Sequence, residues 1–406
     1  PFFSYINRCQ WMLQQGKFVA DACYYYGDHV PNFAQLRSND PAKVGKGRDY
    51  DVITEDAILN RLSCKNGLLT LPDGMSYRAL ILRNHDAISL PVLRKLSELA
   101  AAGAIITGWP ASDKEVAKLA DELWGGGKVA EKTPADELLT AKGVGPDFTW
   151  TGDAKSGTIG FIHRSTGPEE FYFVNNREPV AVTLTAEFRV SGRGVELWDA
   201  VSGERRPVAG IATPKGTRVP LSLPPCGSIF VVFRGKETGT AQTPEPVELT
   251  TLSGPWSVSF DSAWGGPKAP VEFSALTDWS THPEPGVRFY SGTAVYTKSL
   301  QWDGGTNGLS IDLGEVRELA EVKLNGRSLG TVWAPPFRVA IPDGALRKGE
   351  NRLEIEVVNF WPNRIIGDAA LPESKRLTRT NVRQLNAKTK LMKSGLLGPV
   401  RILRPR

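Results

Sequence analysis

Apolar residues recur at three- and four-residue spacings at Phe2, Ile6, Cys9, Met12 and Leu13, the signature of a helix with one buried face, and Gly16 supplies its stop. The period then changes. Phe18 to Tyr26 reads as a buried strand that ends at Gly27-Asp28-His29. A helix leading into a strand that opens onto a polar loop has the rhythm of an α/β barrel, so residues 1–40 are expected to close a barrel whose body lies upstream. A second pattern begins at Tyr50. Tyr50 to Ile53 predicts a strand, Thr54 a helix cap, Ala79 to Leu82 an apolar strand, Ser89 the start of a helix with Leu93, Leu96 and Leu99 on one face, and Gly103 its end before Ala104 to Thr107. With a further helix over Asp113 to Trp124, residues 41–145 read as a doubly wound, flavodoxin-like α/β domain. Its loop Arg83-Asn84-His85-Asp86 has neither a nucleophile elbow nor a Gly-rich phosphate loop, which favours a structural role.

Beyond Pro146 the helical period gives way to short β segments, among them Gly157 to His163, Glu170 to Asn175, Val180 to Val190 and Ser228 to Arg234. These predict a small β-sandwich over residues 146–245. Gly235 to Pro246 is polar and rich in Gly, Thr and Pro, and reads as a linker. Strands then recur from Trp256 to Asn359, punctuated by Asn325-Gly326, Asp343-Gly344 and Lys348-Gly349, which predicts a second β-sandwich over residues 246–406.

The length of 406 residues accommodates these four pieces, and 41 Gly, 29 Pro and 11 Trp beside 3 Met favour turn-rich β-structure with surface aromatics, as carbohydrate-handling proteins have. The net charge of +5 comes from basic residues read as scattered among acidic ones, so no nucleic-acid partner is expected. Cys9, Cys23, Cys64 and Cys226 share no metal-ligand spacing and are expected to be free, mostly buried thiols. No apolar run approaches the roughly 20 residues of a membrane span. The opening Pro1-Phe2-Phe3 lacks an initiator Met and a signal-peptide pattern, so the chain is expected to begin mid-protein.

Two groups of residues are candidates for chemistry. Asp28 and His29 follow a strand, where a carboxylate can hold a sugar hydroxyl, bind an ion or act as acid or base, or simply complete a turn. Tyr24 and Tyr26 share one face of that strand and Tyr25 takes the other, with core packing the alternative to ligand contact. Trp361, Asn363, Arg364 and Asp368 combine a ring with amide, guanidinium and carboxylate groups. That set suits either a glycan site or a buried Arg364–Asp368 pair at the end of the sandwich. Trp333, beside Pro335-Pro336, is either a platform or packing. His85, His163 and His282 have no suitable partners nearby in sequence and are read as structural or exposed.

Several phrases resemble the C-terminal half of the family 106 glycoside hydrolases, the α-L-rhamnosidase family. Tyr5-Ile6-Asn7-Arg8-Cys9-Gln10 with Leu13-Gln14-Gln15-Gly16 is similar to the end of that family's barrel. Glu196-Leu197-Trp198-Asp199, Phe289-Tyr290-Ser291-Gly292-Thr293-Ala294, Asn325-Gly326-Arg327-Ser328-Leu329-Gly330, the run Asn359 to Asp368 and Ser394-Gly395-Leu396-Leu397-Gly398-Pro399 are similar to its later domains. The resemblance implies a galactose-binding-like C-terminal sandwich and hydrolysis of α-L-rhamnosidic bonds in plant polysaccharides such as pectin. It implies barrel carboxylates as catalysts, calcium at the active site, and an extracellular or periplasmic location. It also leads to an expectation of Glu where Asp28 stands. Rhamnose-containing glycans are the expected partners and the catalytic pair is expected upstream. The alternative is a noncatalytic carbohydrate-binding or structural module.

Overall fold

The computed structural model describes residues 1–27, 36–39, 42–82, 88–108, 116–236 and 246–405. It is a mostly β, multi-sheet protein with few helices, and its residues fall into two compact units, Ile6–Gln242 and Thr243–Arg406 with Pro1–Tyr5.

The helix Phe2–Leu13 forms where its spacing predicts. Gly16 ends it at φ +57°, where a Cβ would lie 2.1 Å from the Ser165 carbonyl oxygen, a fit that only glycine allows. The strand-like run after it divides. Lys17–Phe18 pairs antiparallel with Arg164 and Ser165, whereas Ala22–Tyr25 pairs in parallel with both Tyr50–Ile53 and Ala79–Leu82.

This placement corrects the barrel reading of the strand within residues 1–40. Ala22–Tyr25 is the first strand, in chain order, of a five-stranded sheet completed by Tyr50–Ile53, Ala79–Leu82, Ile105–Gly108 and Ala130–Glu131, all parallel, with spatial order 2-1-3-4-5. A strand covered on both faces is equally apolar in a barrel and in an open sheet, so its pattern does not distinguish them. Cys23 and Tyr25 face a core with Ile58, Leu93 and Leu96, and Ala22 and Tyr24 face the opposite one with Leu139. Thr54 and Ser89 cap their helices as predicted.

The same unit holds two antiparallel sheets. One has the order Phe148–Gly152, Val182–Phe188, Gly216–Leu223, Ile211–Thr213; the other is built on Ile159–Ser165, Glu170–Asn176, Ser228–Arg234 and Gly194–Trp198. Phe148, Tyr172, Leu184, Phe188, Val231 and Phe233, drawn from both sheets, close one core.

The Thr243–Arg406 unit has a six-stranded antiparallel sheet centred on Thr293–Trp302 and Gly349–Val358, paired from Thr293↔Val358 to Trp302↔Gly349. A four-stranded sheet shares its core, in which Trp256, Trp279, Tyr290 and Tyr296 are fully buried. The predicted Asn325-Gly326 turn has positive φ at both residues (52° and 79°), as a tight hairpin turn of this type requires. A helix over Pro362–Ala369, starting at a proline suited to a first turn, interrupts the β-structure and carries the candidate phrase's buried residues. Cys9 and Cys23 are buried, but Cys64 is half-buried and Cys226 exposed, because Cys226 sits at the Pro224–Gly227 turn with φ 51°.

Candidate functional site

Asp28 and His29 lie outside the described residues, as do residues 83–87, with His85, residues 109–115 and residues 237–245 of the linker. Tyr24 is buried against the Tyr50 ring at 5.9 Å, and Tyr26 is half-buried beside the same core.

Behind that strand lies a buried chain of charges. Asp21, where the chain passes from one sheet to the other, accepts from Arg48 at 3.1 Å and Arg189 at 2.7 Å. Arg189 also reaches Asp147 at 3.5 Å, and Asp147 takes the Tyr172 hydroxyl at 2.9 Å. His163 lies between two carboxylates, with Nδ1 2.8 Å from Asp147 and Nε2 3.1 Å from Glu170, and its ring stacks on Tyr172 at 3.8 Å. Burial opposes charge on His163, yet the two carboxylates hold its pKa above the ordinary value. Burial likewise opposes charge on Asp147 and Glu170, yet His163 above all, with Arg189 and Arg193 respectively, keeps both below it. Every carboxylate here has a cation beside it, so the assembly ties sheet to sheet. Glu170 reaches His163 through strand register, Ser165 facing Glu170, and Asp147 reaches it from the residue leading into the other sheet, so neither partner is visible beside His163 in sequence.

The second assembly lies on the Pro362–Ala369 helix. Asn363, Arg364 and Asp368 are buried, whereas Trp361 is 50% exposed. Arg364 pairs with Asp368 at 3.0 Å, one helical turn away. Asp368 accepts from Leu377 N, Thr378 N and Thr378 Oγ1, and Asn363 bonds both the N–H and the carbonyl of Met392. These side chains therefore fasten both ends of the exposed segment 371–393 to the helix. Trp361 instead meets Trp264 edge to face at 5.1 Å, and Phe360 beside it is 55% exposed. The pairing with Trp264 has no signal in sequence, because 97 positions separate the two.

The third is a groove of about 450 Å³ between the first helix and the Gly194–Trp198/Arg205–Val208 hairpin, lined by Arg8, Trp11, Trp198, Glu204, Arg205 and Phe230 among others. Arg8 donates to the Ala200 and Val201 carbonyls, which sets the helix on the turn that Asp199 caps. The Arg205 guanidinium covers the Trp198 face at 4.0 Å, so any stacking on a ligand falls to the exposed Trp11. The volume suits a small sugar unit.

Among the described residues no group of three or more His, Cys, Asp or Glu side chains is placed to hold a metal ion. No helix among them is long and apolar enough to cross a membrane.

A family model described as alpha-L-rhamnosidase matches residues 1–210. A rhamnosidase from Novosphingobium sp. PP1Y superposes with a TM-score of 0.83 at 33% identity, covering 99% of this chain and 40% of that one. A curated protein of Formosa agariphila named putative beta-glucuronidase is 24% identical, covering 99% of this chain and 56% of its own length. The chain thus spans about half the length of the curated relative it matches.

Proposed function

Because this chain belongs to the family 106 glycoside hydrolases, we propose that it is the C-terminal part of an α-L-rhamnosidase acting on rhamnose-containing plant polysaccharides, with the catalytic barrel and its calcium in the portion beyond these residues. The observation that carries this reading is the 0.83 superposition on a rhamnosidase over 99% of the chain. An inverting hydrolase needs an acid and a base carboxyl roughly 6.5 to 9.5 Å apart. In this reading the barrel supplies that pair and the present chain supports it.

The strand order 2-1-3-4-5 supports the flavodoxin-like reading of the parallel sheet. Its order reverses between Ala22–Tyr25 and Ala79–Leu82, and ligands of such sheets bind outside the carboxyl ends of the strands at that point. On this ground Asp28, three residues beyond Tyr25 in sequence, is proposed as a substrate- or ion-shell carboxylate. The paired sheets of the last unit support a galactose-binding-like β-sandwich.

The test is hydrolysis of aryl α-L-rhamnoside and aryl β-D-glucuronide by the intact protein and by residues 1–406 alone. Rhamnoside turnover by the intact protein only is expected. Preference for the glucuronide, or no turnover of either, overturns the rhamnosidase reading, and the second result favours a noncatalytic carbohydrate-binding module.

A further inference from the structure

We infer that the exposed segment 371–393, with the rings of Trp264 and Trp361, forms a binding face for uronate-bearing polysaccharide. The segment holds seven Lys and Arg residues against one acidic residue, Glu373. The remainder of the chain has 42 basic and 43 acidic residues, so the molecule's positive charge is concentrated here. The opposite impression, of basic residues evenly scattered, comes from averaging over the whole chain.

Among the described residues, Lys375, Arg379, Arg383, Lys388 and Lys390 are exposed or half-exposed and make no ion pair. Cations left without carboxylates on one segment repel one another, a cost that a polyanion relieves. The segment is not a loose tail: Asp368 holds Leu377 and Thr378 at its start and Asn363 holds Met392 at its end. Leu377 packs over Gly265, next to Trp264, which brings the first part of the segment against the Trp264–Trp361 pair. Rings offer apolar faces to the CH faces of sugars, and guanidinium groups take carboxylates in bidentate fashion. A regularly spaced run of sugar carboxylates satisfies both. A nucleic acid would need a longer basic track, and the near-neutral remainder of the chain supplies none.

This inference rests on the glycoside hydrolase reading for its choice of a sugar polyanion, and its test is separate. Binding of the intact protein to polygalacturonate, neutral galactan and random duplex DNA is measured by affinity electrophoresis and calorimetry at two salt concentrations. Polygalacturonate should bind, more weakly at higher salt, and galactan at least tenfold more weakly. Replacing Arg379, Arg383 and Lys388 together by Gln should weaken polygalacturonate binding at least tenfold. Trp361→Ala should weaken it several-fold without altering its salt dependence. No binding, an unchanged affinity in the triple variant, or tighter binding of DNA that ignores Trp361→Ala overturns the inference. Polygalacturonate binding without aryl rhamnoside hydrolysis sinks the rhamnosidase reading alone, and hydrolysis without that binding sinks this one alone.

Discussion

His163 Nδ1 lies 2.8 Å from Asp147 Oδ2, a buried contact that pairs a strand of one antiparallel sheet with the residue leading into the other. Its titration fixes a stability window. His163 has a raised folded pKa, so its contribution is fully present below about 6.5 and is lost as pH rises through the folded value. Asp147 and Glu170 have lowered folded pKa values, so theirs is present above about 4 and is lost as pH falls through them. The Ile6–Gln242 unit should therefore be most stable between these limits. Each tenfold gain in proton affinity on folding is about 1.4 kcal/mol. In thermal scans from pH 5 to 9, His163→Asn should lower the midpoint most at the acid end and flatten the alkaline decline. An unchanged alkaline slope would show that His163 does not carry it.

Asp368 neutralises buried Arg364 and holds the start of the basic segment. Asp368→Asn leaves an uncompensated buried guanidinium and should cost roughly 3 to 5 kcal/mol in the Thr243–Arg406 unit. Hydrogen exchange should rise at Leu377 and Thr378, whose N–H groups it receives. Full stability with weakened glycan binding would return Asp368 to the ligand.

Asp28→Asn in the intact protein should leave folding nearly unchanged and lower turnover at least tenfold, about 1.4 kcal/mol in the barrier. Unchanged kinetics with a large fall in the thermal midpoint would make Asp28 part of the framework.

Limited proteolysis of residues 1–406 should cut first between Gly235 and Pro246, the stretch containing the division between the two units. First cleavage elsewhere would show that this stretch is protected.

Local chemistry is legible in the sequence alone. Thr54 and Ser89 announce helix starts, Asn325-Gly326 a hairpin, and the alternation of Val182–Phe188 a strand with one buried face. Each depends on residues within a turn or two of one another, and the motif resemblance depends on order alone. Tertiary structure decided which sheet receives a strand. Ala22–Tyr25 buries both faces, a property common to barrel and open sheet, and only its pairing with Tyr50–Ile53 and Ala79–Leu82 tells them apart. The same holds for His163 with Asp147, Trp361 with Trp264, and Asn363 with Met392. Periodicity specifies which face of an element is buried, but a contact between distant positions is chosen by the register and packing of the elements that carry them.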